Sequence, residues 1–128
     1  MKALSLWQPW ASEIARGRKT IETRMWSTRY RGPLLVCASK HMDRTCCDPG
    51  LAYPRGMAVA ICRLVDCREM RGGDEVAAMC QWEPGRYSWV LADVRSIKPF
   101  PVRGRQRLFD VDLPVSALSA IYPVRSGT

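Results

Sequence analysis

Apolar residues recur along the chain in short runs, most of which follow the two-residue period of β-strands. Leu4 and Leu6 alternate with Ser5 and predict a short first strand. Residues 57–65 form the longest apolar run, and we expect a central strand there with both faces covered. The same patterns predict further strands at residues 19–24, 34–38, 88–97 and 108–112.

Helical spacing is clearest near the N-terminus. Trp7, Trp10 and Ile14 recur on one side of a predicted helix of about two turns. Pro9 fits the first turn of that helix, and Gly17 fits its C-terminal cap. Weaker helical patterns lie at residues 74–81 and 114–121, whereas the predicted loops are residues 27–33, 41–54 and 99–107.

These elements predict an α+β fold of about six short strands and two or three short helices. The strands do not alternate regularly with helices, which favours a small mixed β-barrel over a parallel doubly wound sheet. We expect residues 1–128 to form a single domain. No run approaches the ~20 apolar residues of a membrane span, so no membrane association is expected. The first residues lack a signal-peptide core, which predicts a cytoplasmic protein.

The charge balance indicates the kind of partner. Twenty lysines and arginines oppose 12 acidic residues, giving a net charge of +8 and a pI of about 9.6. Arginine supplies most of this charge, and its planar guanidinium grips phosphate at two points. The balance favours a nucleic-acid partner, with a merely solubilising surface as the alternative. Six cysteines without a Cys-x-x-Cys pair and a lone histidine, His41, predict neither a metal site nor disulfides, and no cofactor is expected.

One short segment concentrates side chains that can do chemistry. Lys19, Glu22 and Arg24 lie within six residues, at a predicted turn from helix to strand. A lysine beside apolar walls can act as a base or nucleophile, a carboxylate can carry protons, and an arginine can hold phosphate. In a regular strand, however, Lys19 points away from Glu22, whereas Glu22 and Arg24 share a face. The alternative is therefore a Glu22–Arg24 pair beside a solvated Lys19.

The same segment carries a family signature. Gly17, Lys19, Glu22 and Arg24 match the pattern Gly-x-Lys-x-x-Glu-x-Arg of ASCH domains. Four flanking blocks are similar to the family as well, at residues 5–10, 31–39, 89–91 and 102–106. On these residues the chain resembles the ASCH domain family of the PUA-like superfamily. The resemblance implies a PUA-like β-barrel, a cleft between barrel and helices, and RNA as the ligand.

The resemblance also implies two possible activities. Some members of the family are amidohydrolases that remove the acetyl group of N4-acetylcytidine, and others are ribonucleases. The motif lysine, Lys19 here, is catalytic in the amidohydrolases. Glu22 stands where they have a catalytic threonine. Their third group, a glutamate from the middle of the chain, has no match here, and Glu75 and Glu83 are candidates for it. The sequence leaves open a hydrolase acting through Lys19 and Glu22, or a non-catalytic RNA-binding or adaptor module.

We expect single-stranded RNA or a nucleoside to stack on an aromatic side chain while Lys19 and Glu22 activate water or a ribose hydroxyl. Arg103, Arg105 and Arg107 alternate, so on an extended segment all three point one way. Trp7 is expected in the core or the cleft wall, and His41 on the surface. The predicted contacts to nucleic acid are Trp10, Arg24, Trp26, Arg29, Arg31, Ser39 (at a strand end), Lys40, Arg103, Arg105 and Gln106.

Overall fold

The computed structural model describes residues 1–117, which form six strands and two short α-helices. Single 3-10 turns lie at Gly72–Asp74 and Val115–Ala117. The strands and helices, in chain order, are β1 (Lys2–Gln8), α1 (Trp10–Ala15), β2 (Ile21–Arg24), β3 (Gly32–Met42), β4 (Met57–Glu69), α2 (Glu75–Ala78), β5 (Tyr87–Pro101) and β6 (Phe109–Asp110).

All six strands join one mixed sheet in the order β2-β5-β4-β3-β1-β6. β1 runs parallel to β3, and the other neighbours are antiparallel. The predicted α+β class with six strands is thereby confirmed. Bulges interrupt the register of β4 with β5 at three places, and bulges bend and twist a strand locally. Neither described helix is long and apolar enough to cross a bilayer.

The strands are longer than their apolar runs predict. β3 continues through Ser39 to Met42, so Ser39 does not end a strand as predicted. β5 continues through Pro99 to Pro101, where the sequence predicts a break. The sheet tolerates these prolines because β2 pairs with β5 only as far as Val90, so that among residues 1–117 no strand pairs with that side of the later part of β5.

The helices are shorter than predicted. α1 begins at Trp10, so Trp7 lies in β1 and not in the helix. The predicted end of this helix is confirmed, since Gly17 follows it with a φ of +77°. α2 stops at Ala78 because Met79 adopts a left-handed conformation, φ +56°. The helix predicted at residues 114–121 begins with the 3-10 turn Val115–Ala117, and the rest of it lies outside the described residues.

The centre of the sheet is buried on both faces, which accounts for the continuous apolar run in β3. In β4 both faces are covered from Ala58 to Cys62, whereas Arg63 and Val65 are exposed, so the prediction of two covered faces over residues 57–65 is wrong at its end. Leu34 and Val36 of β3 face a cluster that includes Ile14 of α1 and Trp89 of β5. Leu35, which alternates with them, faces a second cluster around Phe109 and Phe100. α1 therefore packs on one face of the sheet, and the segment that follows it runs along that face into β2.

A buried carboxylate fixes the segment before α2 to the sheet. Asp74 is 7% exposed and accepts hydrogen bonds from the Arg68 guanidinium at 2.6 and 2.9 Å. It also accepts from the Arg71 backbone and the Ser88 hydroxyl, both at 2.9 Å. The Arg68 guanidinium, more than any other neighbour, holds the pKa of Asp74 well below its usual range. Because α2 supplies one wall of the site described next, this anchor supports that wall.

Candidate functional site

A cleft of about 1610 Å³ opens between the segment after α1, the ends of β1 and β3, and the loop that follows β5. Ten of the twelve predicted site residues line it, although they come from four separate parts of the chain. These residues are Trp10, Lys19, Glu22, Arg24, Trp26, Ser39, Lys40, Arg103, Arg105 and Gln106.

Lys19 lies at the wall of the cleft and is almost fully buried, with 2% of its surface exposed. Its backbone N–H donates to the Glu13 carbonyl at 3.1 Å, so Lys19 belongs to the turn between α1 and β2 and not to a strand. Strand alternation therefore does not apply to it, and the predicted solvated position is wrong. Its ammonium donates to the carbonyl of Ala78 in α2 and lies 3.5 Å from a Glu22 carboxylate oxygen.

Glu22 joins two cations. Its Oε1 faces Lys19 and accepts the Thr23 backbone N–H at 3.0 Å, whereas its Oε2 accepts from Arg24 Nη2 at 3.2 Å. Arg24 also donates to the Ser5 carbonyl at 2.8 Å. The predicted Glu22–Arg24 pair is confirmed. We call these three residues the Lys19–Glu22–Arg24 cluster; in it the carboxylate fixes the position of both cationic heads.

The two tryptophans predicted to stack on a base already have cations on their rings. The Lys19 ammonium lies 5.4 Å from the ring centroid of Trp10. The guanidinium carbon of Arg107 lies 4.3 Å from that of Trp26, and Trp89 meets Trp26 edge-on at 4.8 Å. A base can reach the covered face of Trp26 only by displacing Arg107.

Positive charge dominates the cleft. Glu22 and Asp43 are the acidic side chains among the lining residues, and both are set against a larger number of basic ones. The basic residues that line the cleft are Lys19, Arg24, Lys40, Arg86, Arg103, Arg105 and Arg107.

The arginines after β5 meet in the cleft for a reason other than the predicted one. β5 ends at Pro101, and Arg107 has a φ of +61°, so residues 103–107 do not form the extended segment that alternation requires. A Cβ at Gly104 would lie 3.1 Å from the Ser5 hydroxyl, so this loop passes close against β1. That close approach brings the loop over the cleft.

Four predicted or candidate residues lie outside the cleft lining. Arg31 donates to the carbonyls of Thr28 and Tyr30 and pairs with Asp66 at 3.6 Å, and neither Arg31 nor Arg29 lines the cleft. Among the candidates for a third catalytic group, Glu75 accepts the Trp82 backbone N–H at 2.6 Å. The other, Glu83, pairs with Arg86 at 3.1 Å. Neither glutamate lines the cleft.

Several lining residues are not among the predicted contacts, and Trp7, His41 and Asp43 are three of them. Trp7 is 54% exposed and stacks on His41, with ring centroids 5.2 Å apart. Strand alternation could have found Trp7, because Leu4 and Leu6 point inward and Trp7 takes the opposite parity. Asp43 follows β3, and its backbone N–H donates to the Gln8 carbonyl at 2.7 Å. The hydroxyl of Thr45 donates to Asp43 and lowers the pKa of this carboxyl.

Comparison with known proteins bears on the family. A family model described as the ASCH domain matches residues 4–101. The mouse and human proteins named Activating signal cointegrator 1 are each 24% identical to the chain over 127 residues, which cover 85% of this chain but 22% of theirs. The chain thus spans about a fifth of the length of these curated relatives.

Solved structures bear on the fold. The crystal structure of ASCH from Zymomonas mobilis superposes with a TM-score of 0.63 at 14% identity, covering 96% of this chain and 94% of that one. A tyrosine-to-phenylalanine variant of the same protein gives a TM-score of 0.59 at 13% identity, with 96% of both chains covered. At this identity the likeness concerns the fold alone.

Proposed function

The chain belongs to the ASCH domain family, and from that premise we propose that its cleft binds single-stranded RNA. The observation that carries the proposal is basic charge that the protein leaves without acidic partners. Lys40, Arg103 and Arg105 are exposed at the cleft, and within residues 1–117 no ion pair engages any of them. Charges left in this state attract phosphate and release its counterions on binding.

The size of the cleft favours a strand of RNA over a free nucleoside as the ligand. Pockets for small ligands typically hold about 300–1,000 Å³, and this cleft of about 1610 Å³ exceeds that range. Single-stranded RNA can turn its bases toward aromatic side chains while its phosphates meet the cations around them. A cleft with aromatic rings between basic side chains suits that arrangement.

Two double variants distinguish RNA binding at the cleft from RNA binding through the net positive charge of the protein. Arg103→Ala/Arg105→Ala removes two charges at the cleft, and Arg63→Ala/Lys98→Ala removes two exposed charges that do not line it. Affinity for a fluorescent oligouridylate would be measured by anisotropy over a range of salt. Each lost phosphate contact lowers the slope of log K against log salt by about 0.7, so we expect the cleft variant to lose about 1.4.

The matched control variant should keep the wild-type slope. Equal losses from both variants would mean that binding follows net charge and not the cleft, and the proposal would fail. The curated relatives are named cointegrators, so a protein that ignores RNA but forms a stable protein complex would favour an adaptor role instead.

Hydrolysis is a second candidate function, favoured by one observation. Lys19 and Glu22 lie 3.5 Å apart at the cleft wall, where part of a bound nucleotide would reach them. On N4-acetylcytidine, water would add to the acetyl carbonyl carbon, and the bond from that carbon to N4 would break. Glu22 would take a proton from the water and pass it to N4, while the Lys19 ammonium stabilises the charge on the carbonyl oxygen. The products are acetate and cytidine.

Chromatography after incubation with N4-acetylcytidine, and separately with single-stranded RNA, tests this second function. Product that forms with the wild type and is lost in Lys19→Met would support hydrolysis, provided that circular dichroism shows the variant to be folded. The folded state must be checked because Lys19 is buried. RNA binding without product from either substrate would leave binding as the function of the cleft.

A further inference from the structure

Trp7 is the large aromatic side chain that the cleft leaves most open. It is 54% exposed, whereas Trp10 and Trp26 are half-buried. Its exposed ring lies at the cleft and can give favourable burial to an apolar or aromatic part of a ligand. The pairing of β1 with β3 shifts register between Leu6 and Gln8, and such irregularities commonly re-aim a side chain.

His41 supports Trp7 from one side. The two rings lie 5.2 Å apart at 28°, which is a stacked arrangement, and both line the cleft. The fixed ring would lose little conformational freedom when a ligand covers its other face. Trp10 and Trp26 differ, because Lys19 and Arg107 already lie over their rings.

We propose that Trp7, supported by His41, is the platform on which the cleft stacks a nucleobase. The inference rests on the proposed binding of single-stranded RNA and adds the residue that contacts a base. Lys40, the neighbour of His41 in β3, also lines the cleft and is exposed, so a phosphate beside a base stacked on Trp7 would meet a cation. This assignment replaces Trp10 and Trp26 as the first contacts of an incoming base.

The test compares two probes that share a backbone, an oligouridylate and its abasic counterpart. Trp7→Ala should weaken binding of the oligouridylate by about 5- to 150-fold, the range that loss of one stacked base gives. Binding of the abasic probe and the salt dependence of both should stay at wild-type values, because phosphate contacts remain. Trp82→Ala, which removes a tryptophan 47% exposed and outside the cleft lining, is the matched control and should leave both affinities unchanged.

Trp7→Phe supplies a second readout that a structural role would not produce. Phenylalanine keeps a stacking ring, so affinity for the oligouridylate should return close to the wild-type value. The quenching of intrinsic fluorescence by RNA should nevertheless fall, because the stacked indole is gone. Equal effects of Trp7→Ala on both probes, or none on either, would overturn the platform while RNA binding itself stands. A wild-type protein that binds neither probe would instead overturn the proposed function.

Discussion

Replacing Glu22 by glutamine tests how the Lys19–Glu22–Arg24 cluster is held together. The side chains of Lys19, Glu22 and Arg24 are 3%, 11% and 23% exposed, so the contact between the first two is nearly dry. Glutamine keeps the size of the side chain but removes the charge that compensates two cations. Removing one member of a buried ion pair costs about 3–5 kcal/mol, because an uncompensated charge stays behind.

The matched change on the other side of the pair should cost less. Lys19→Met keeps an unbranched apolar chain, and Glu22 retains Arg24 and the Thr23 N–H as donors. The main loss is the hydrogen bond to the Ala78 carbonyl, and a buried acceptor without a partner costs about 1–3 kcal/mol. We therefore expect Glu22→Gln to be the more destabilising of the two variants.

Urea denaturation followed by circular dichroism gives the free energy of unfolding of both variants. The reasoning predicts a clear loss for each, with Glu22→Gln the larger. A Lys19→Met variant that loses as much as Glu22→Gln, or two variants within about 0.5 kcal/mol of the wild type, would show that the cluster is not electrostatically held as described.

Three further predictions concern stability and reactivity. Asp74→Asn should destabilise the protein at pH 7. Because the pKa of Asp74 is depressed in the folded protein, its carboxylate contributes to the free energy of unfolding above the unfolded pKa of about 3.9, and this contribution is lost as the pH falls below that value. The urea midpoints of variant and wild type should therefore converge in acid. Gly17→Ala should cost about 1–2 kcal/mol in the same assay, since the site has room for a methyl group but a left-handed φ of +77°. Mass spectrometry after brief alkylation should find the exposed Cys46 modified and the buried Cys37 and Cys62 unmodified. Burial raises the pKa of both buried thiols to about 12, which leaves little of the reactive thiolate. Early modification of either buried thiol would contradict the packing.

Much of the fold follows from local patterns. The apolar runs at residues 34–38 and 57–65 predict buried strands, and the sheet places both at its centre as β3 and β4. The ends of the strands do not follow from those runs. β3 continues through Ser39 to Met42 beyond its last fully buried residue, because pairing with a neighbour can extend a strand past its apolar part.

The site is predictable in composition but not in arrangement. The signature residues Lys19, Glu22 and Arg24 are correctly grouped by the sequence, yet the burial of Lys19 depends on the carbonyl of Ala78, 59 residues away. No local pattern reports such a contact. The spacing from Trp7 to Trp10 fits a helical period and predicts a helix, whereas in the structure β1 continues through Trp7 to Gln8. The alternation of Leu4 and Leu6 predicts a strand beside it, and pairing with β3 extends that strand past Leu6.

The dependence of RNA affinity on salt tests the central claim most directly. A labelled oligouridylate would be titrated with the wild-type protein at about 50 and 200 mM salt. If three or four of the exposed cations Lys40, Arg103, Arg105 and Arg107 neutralise phosphates, affinity should fall by about 20- to 50-fold over that interval. Binding that is absent at the lower salt, or that does not change between the two, would contradict an RNA-binding cleft.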